Sequence, residues 1–178
     1  MKAPLYFLLA IMTIAVSACG LIEIDIPLTD LPVNINKDIP INQPIPGNSQ
    51  FEWEFESPNP ALGIIDSVSG GWELLDNVTV ENITLLIVTP DTQTFDFVDK
   101  ADLYLIAPDG SKELIGQREG GSNTQSLILQ TVEGENSISD LFREENVKFL
   151  LQIETGPEGL QDPIEIRVDV NFGMQLAL

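Results

Sequence analysis

Hydrophobic and polar residues alternate over most of this chain with a period of two, which predicts β-strands and leaves little room for helices. The last stretch is the cleanest: Ile164, Ile166, Val168, Val170, Phe172 and Met174 are opposed by Glu165, Arg167, Asp169, Asn171 and Gln175. Phe51, Trp53 and Phe55 alternate with Glu52, Glu54 and Glu56 in the same way. Such a strand puts its apolar side chains on one face and its polar ones on the other. The aromatic row is therefore expected to be a core face rather than a ligand platform, and the three glutamates its wet face.

Further strands are predicted at Asp102 to Ala107, Lys112 to Gln117, Gln125 to Thr131 and Val147 to Glu154. A long strand from Asn77 to Thr89 changes phase, since Val78 and Val80 alternate one way and Ile83, Leu85 and Ile87 the other. A bulge near Glu81 and Asn82, or burial of both faces, accounts for the change. Pro108-Asp109-Gly110-Ser111 reads as a hairpin turn. Ala61 to Val68 is expected to form a short helix or an irregular crossover, and Ser137 to Glu145 one or two helical turns. Trp72 falls in a turn-rich region beside Gly70-Gly71.

Residues 20–50 hold Pro27, Pro32, Pro40, Pro44 and Pro46, which suggests a spacer. The apolar spacing points instead to strands: Ile22, Ile24, Ile26 and Leu28 alternate with Glu23, Asp25 and Pro27, and Val33, Ile35, Ile39 and Ile41 keep the same period. Proline cannot donate to a ladder, so these strands belong at a sheet edge. With no βαβ repeat, the pattern predicts an all-β fold, an antiparallel β-sandwich of about eight or nine strands with one or two short helical turns. A small membrane barrel is the rival, but mixed phases and a proline-rich start suit a two-layer core better.

The amino terminus is different in kind. Met1 and Lys2 precede an apolar run from Leu5 to Val16, followed by small residues, the pattern of a targeting segment. From Ala3 to Ala18 the run is 16 residues long, short of the roughly 20 that span a bilayer. Val16-Ser17-Ala18-Cys19 resembles the lipobox of bacterial lipoproteins, in which a branched aliphatic and two small residues precede the cysteine. The resemblance implies that residues 1–18 are a cleaved signal peptide, that Val16, Ser17 and Ala18 are recognised by the signal peptidase, and that Cys19 carries the lipid. Two or three acyl chains would hold the protein stably in a membrane. Gly20 stands where an Asp would retain such a lipoprotein at the inner membrane, so the resemblance points to the outer membrane of a Gram-negative cell. Residues 19–24 then form a short tether and residues 25–178 a single sandwich domain. Beyond the signal the likeness to bacterial surface lipoproteins is one of architecture, and only Cys19 and its recognition residues carry over.

Composition narrows the chemistry. The chain has 178 residues, 8 basic against 28 acidic side chains and a formal charge of -20. Such a surface repels nucleic acid and anionic headgroups. Cys19 is the single cysteine, so an acylated chain has neither a disulfide nor a thiolate metal site. With no histidine, Ser-His and Cys-His catalysis and imidazole metal sites are ruled out. Gly70-Gly71 and Gly120-Gly121 lack the Lys-Ser and strand-to-helix setting of a phosphate loop. Two carboxylates could serve a glycosidase, but acidic pairs are too plentiful for any one to stand out, and no catalytic residue is assigned.

Asp91, Asp96, Asp99 and Asp102 cluster in and after the loop Pro90 to Thr94, where oxygen ligands would suit Ca²⁺. They match no EF-hand spacing, and ordinary solvated loop acids are the simpler reading. Asn77-Val78-Thr79 and Asn82-Ile83-Thr84 match glycosylation sequons, which a bacterial lipoprotein in a strand setting would not use. Apart from covalent lipid, no cofactor is expected. The sequence points to a lipid-anchored, non-catalytic interaction or structural subunit that meets another envelope protein through a strand edge. The alternative is a surface-displayed ligand-binding module, for carbohydrate with or without calcium, which exposed Trp53 or Trp72 would favour.

Overall fold

The computed structural model describes residues 29–66, 73, 75–132 and 138–176. Eight strands alternate with two short helical pieces: β1 Thr29–Ile41, β2 Gln50–Pro58, α1 Ala61–Ile65, β3 Leu75–Thr89, β4 Val98–Ile106, β5 Lys112–Glu119, β6 Ser126–Thr131, a 3-10 helix Ile138–Arg143, β7 Asn146–Thr155 and β8 Ile164–Leu176. Every pairing is antiparallel, in the order β1-β8-β3-β6-β5-β4-β7-β2. The seam between β5 and β6 is only two residue pairs long, Gly116 with Thr131 and Gln117 with Gln130. This nearly closed sheet therefore folds into two four-stranded layers, β1-β8-β3-β6 and β2-β7-β4-β5. That is the strand order of a jelly roll.

The period-two pattern explains which side chains meet. Ile35 pairs with Val170 and Val170 with Ile83, which in turn pairs with Leu129, so one apolar row crosses the whole first layer. In the second layer Trp53, Leu151 and Leu103 form the equivalent row. The two inner faces share one continuous core. Phe142 of the 3-10 helix closes one part of it, meeting Phe172 edge to face at 4.7 Å. Aromatic pairs in this geometry add about 0.5–1.5 kcal/mol beyond the area they bury.

The phase change in β3 is a bulge: the register with β8 shifts between Val80 and Asn82. The extra residue, Glu81, lets Val78 before it and Ile83 after it both reach the core. The hairpin turn also forms, with Gly110 at φ 84° and the Ser111 amide donating to Asp109 Oδ1 at 2.9 Å. The Ser111 side chain first, and this amide bond second, hold the Asp109 carboxyl below its usual range.

The strand reading of the proline-rich segment prevails over its rival. The spacer reading fails for residues 29–41, which form one continuous strand laddered to β8 through both Pro32 and Pro40. These prolines are eight positions apart, so their nitrogens point the same way, and they must face the open edge, where a missing N–H costs no ladder bond. Asp96 and Phe97 precede β4, which lies between β5 and β7 in the middle of its layer. The signal peptide, Cys19 with the tether, and Trp72 lie outside the described residues.

Candidate functional site

Among the described residues the strand order leaves two free edges, β1 on one layer and β2 on the other, facing each other across the open side of the sandwich. Among the described residues β2 pairs only with β7, in unbroken register from Gln50 opposite Glu154 to Pro58 opposite Asn146. Bonds at its two ends fix which backbone groups are used. Thr155 N donates to Ser49 O at 2.8 Å, and Asn59 N donates to Glu145 O at 2.9 Å. Odd-numbered residues therefore bond to β7, because hydrogen-bonding direction alternates along an antiparallel strand. The N–H and C=O groups of Gln50, Glu52, Glu54 and Glu56 point out of the sheet edge.

Side chains alternate as well, on the perpendicular axis. Phe51, Trp53 and Phe55 turn inward and pack against the core, yet stay half-buried because no strand lies beyond them. Phe51 meets Trp53 edge to face at 4.5 Å, and Phe55 stacks on Phe149 at 5.1 Å. The aromatic row is thus a core face whose outer rim reaches solvent. Glu52, Glu54 and Glu56 are exposed on the outer face. Their neighbours on β7 are Gln152, Leu150 and Lys148. Gln152 Nε2 donates to Glu52 Oε1 at 3.2 Å, and none of the three glutamates forms an ion pair among the described residues.

Both ends of β2 are clamped. At the far end, buried Asn59 donates from Nδ2 to the carbonyls of Phe142 and Glu144 and accepts the Ala61 amide on Oδ1 at 3.0 Å. At the near end, buried Thr155 donates to Pro46 O and accepts from Ser49 N. The same corner needs glycine at 159, where φ is 63° and an added Cβ would sit 2.3 Å from Ile45 O. These contacts hold the β1–β2 loop against the β7–β8 loop. They also shape a groove of about 480 Å³ that brings Trp53 and Phe51 beside Asn42, Gln43 and Gln50.

The outer face of the second layer carries one further polar group. Lys100 Nζ lies 2.7 Å from Asp102 Oδ2, and Tyr104 Oη donates to the same oxygen at 3.4 Å. The Asp102 hydrogen bond and charge, with Glu154 and Glu119 behind them, raise the Lys100 pKa. Burial first, then the Asp102 charge, raises that of Tyr104. Asp102 is 4% exposed, and its Oδ1 has no hydrogen-bond partner among the described residues. On the first layer, by contrast, Arg167 grips Asp38 through two nitrogens at 2.7 and 3.0 Å and lowers the aspartate pKa.

The four aspartates considered for calcium take separate positions. Asp91 and Asp96 lie in the loop after β3, Asp99 is exposed at the start of β4, and Asp102 is buried against an ammonium. Among the described residues no three acidic side chains gather into a metal-holding group. Both sequon asparagines, Asn77 and Asn82, are exposed on β3. Sequence reasoning missed the partnership of Asp102 with Lys100 and Tyr104, although their i, i+2, i+4 spacing on a strand places all three on one face. Among the described residues no helix is long and apolar enough to cross a membrane.

No family model and no curated protein matches the sequence. Solved structures give fold-level likenesses at low scores. One is a chain from work on the promiscuous specificity of carbohydrate-binding modules of the β-sandwich superfamily, 12% identical, with 84% of this chain covered and a TM-score of 0.36. This chain spans 57% of that one's length. Turnip yellow mosaic virus gives 14% identity over 83% of this chain and 84% of the viral one, with a TM-score of 0.29. Desmodium yellow mottle tymovirus gives 8% identity, coverage of 84% and 90%, and the same TM-score. The strand order above, not these likenesses, defines the fold.

Proposed function

We propose that this chain is a lipoprotein of the cell envelope, held to the membrane by lipid on Cys19, whose sandwich is a non-catalytic interaction subunit. The observation that carries the interaction reading is the free edge of β2. Four residues point their backbone donors and acceptors outward there, beside an aromatic row that lacks its outer cover. An added strand would satisfy both deficits at once. The anchor rests on Val16-Ser17-Ala18-Cys19 behind an apolar run, and Gly20 favours the outer membrane of a Gram-negative cell. The partner is an envelope protein, and a formal charge of -20 disfavours nucleic acid.

Intact mass of the membrane-extracted protein tests the anchor. Cleavage before Cys19 with added acyl chains is expected, with release or incomplete processing of the Cys19→Ser variant; an unacylated soluble chain would sink it. A photo-crosslinking residue in place of Glu54, with Asn36 on β1 as the control, tests the edge. A defined envelope protein should be captured from position 54 alone, and equal labelling from both positions would remove the edge from the proposal.

The groove beside Trp53 favours a second reading. An indole next to the amides of Asn42, Gln43 and Gln50 is chemistry that would stack and hydrogen-bond a sugar. Titrating soluble glycans against the tryptophan emission of a Trp72→Phe variant, whose one remaining indole is Trp53, separates the readings, since sugar binding would quench or shift that emission without protecting the β2 edge amides.

A further inference from the structure

Resting on the edge reading above, we infer that the segment which adds to β2 is an extended strand of a different protein in which basic and apolar residues alternate. The two faces of β2 dictate that alternation. A strand laid on its edge would place every second side chain on the outer face beside Glu52, Glu54 and Glu56, and the intervening ones on the inner face over Phe51, Trp53 and Phe55. Outward positions must therefore answer carboxylates that form no ion pair among the described residues. Opposite charges across neighbouring strands stabilise the pairing, and like charges oppose it. Inward positions must cover half-buried aromatic rings.

The same charges argue against a second copy of this chain. Joining β2 to another β2 would align two rows of three glutamates on one sheet face, in molecules that each carry a formal charge of -20. Nor does β1 offer an equivalent site. Pro32 and Pro40 interrupt its outward donors, and Lys37, in line with buried Ile35 and Ile39, places a charge where an added strand would need apolar cover. A basic segment would also be drawn toward the acidic surface before docking, so association should be fast at low salt and slow at high salt.

The test uses two peptides matched to the nine residues of β2, one alternating lysine with valine and the other glutamate with valine, added to the folded protein while backbone amide exchange is followed. Slowed exchange at Glu52, Glu54 and Glu56 with the lysine peptide alone is expected. Binding should weaken about tenfold in the Glu52→Gln, Glu54→Gln, Glu56→Gln triple variant, and again on raising salt from 0.05 to about 0.5 M. These glutamates are exposed, so the variant keeps the fold. Equal protection by both peptides would overturn the basic-partner inference and leave the edge reading standing. Protection by neither would overturn both. Concentration-dependent dimerisation that protects the same amides would replace the foreign strand with a second copy.

Discussion

The two free edges of this sandwich are built to opposite rules. β1 carries Pro32 and Pro40 with their nitrogens turned outward and, in the row of Ile35 and Ile39, an exposed lysine at position 37. β2 has no proline or lysine before Pro58 at its end, and its outward-turned groups run without interruption from Gln50 to Glu56. Natural sheets blunt an edge in the manner of β1 to prevent pairing with another chain. On β2 the protection is a row of carboxylates, which repels copies of itself but not a strand of opposite charge. Edge chemistry can thus separate a closed boundary from a selective one within a single domain.

The largest way to break the comparison is to release β2 at its anchored end. Asn59→Ala removes three side-chain hydrogen bonds and takes the amide donor from the carbonyls of buried Phe142 and of Glu144. A loss of about 3 kcal/mol is expected in urea unfolding. Exchange should quicken along β2 before it does along β1.

Next in size is Lys100→Met, which leaves the buried Asp102 carboxylate without its cation. Part of Lys100 is solvated, so the cost should be about 2 kcal/mol rather than the full penalty of a buried unpaired charge. Lys37→Val sharpens the contrast differently. Its stability change should stay within about 0.5 kcal/mol, but sedimentation should detect new self-association through β1, less pronounced for as long as Pro32 and Pro40 remain.

The smallest effects are in pH. Asp38 is held below its ordinary value of 3.8 by Arg167, so its contribution is intact above that value and lost as pH falls through the folded pKa. Lys100 is raised above 10.5 and Tyr104 above 10.0, so their contributions hold below those values and fade as pH rises through the folded ones. Unfolding midpoints should therefore lose part of their acid slope in Asp38→Asn and part of their alkaline slope in Lys100→Met.

Much of the fold was legible because local pattern and final burial agree. The alternation from Ile164 to Met174 became β8, and the phase change near Glu81 became a bulge. The prolines of residues 29–41 announced an edge strand, since only there is a missing donor harmless. Pairing was not legible: nothing in Phe51, Trp53 and Phe55 says that β7, almost a hundred residues away, is their neighbour. The burial of Asp102 was missed for a related reason, since it depends on what covers the outer face around it. Leu150, also on that face yet almost fully buried, shows that alternation alone does not decide exposure.

The pairing of β1 with β8 has a kinetic side. Every ladder partner of the first strand lies in the thirteen residues of the last, and β3 makes its longest ladder with the same segment. Local contacts cannot assemble this layer, and domains dominated by distant pairings fold slowly. A chain emerging from its amino end stays without its first ladder until Ile164 and its successors arrive, so truncation before that point should leave a chain that does not fold at all.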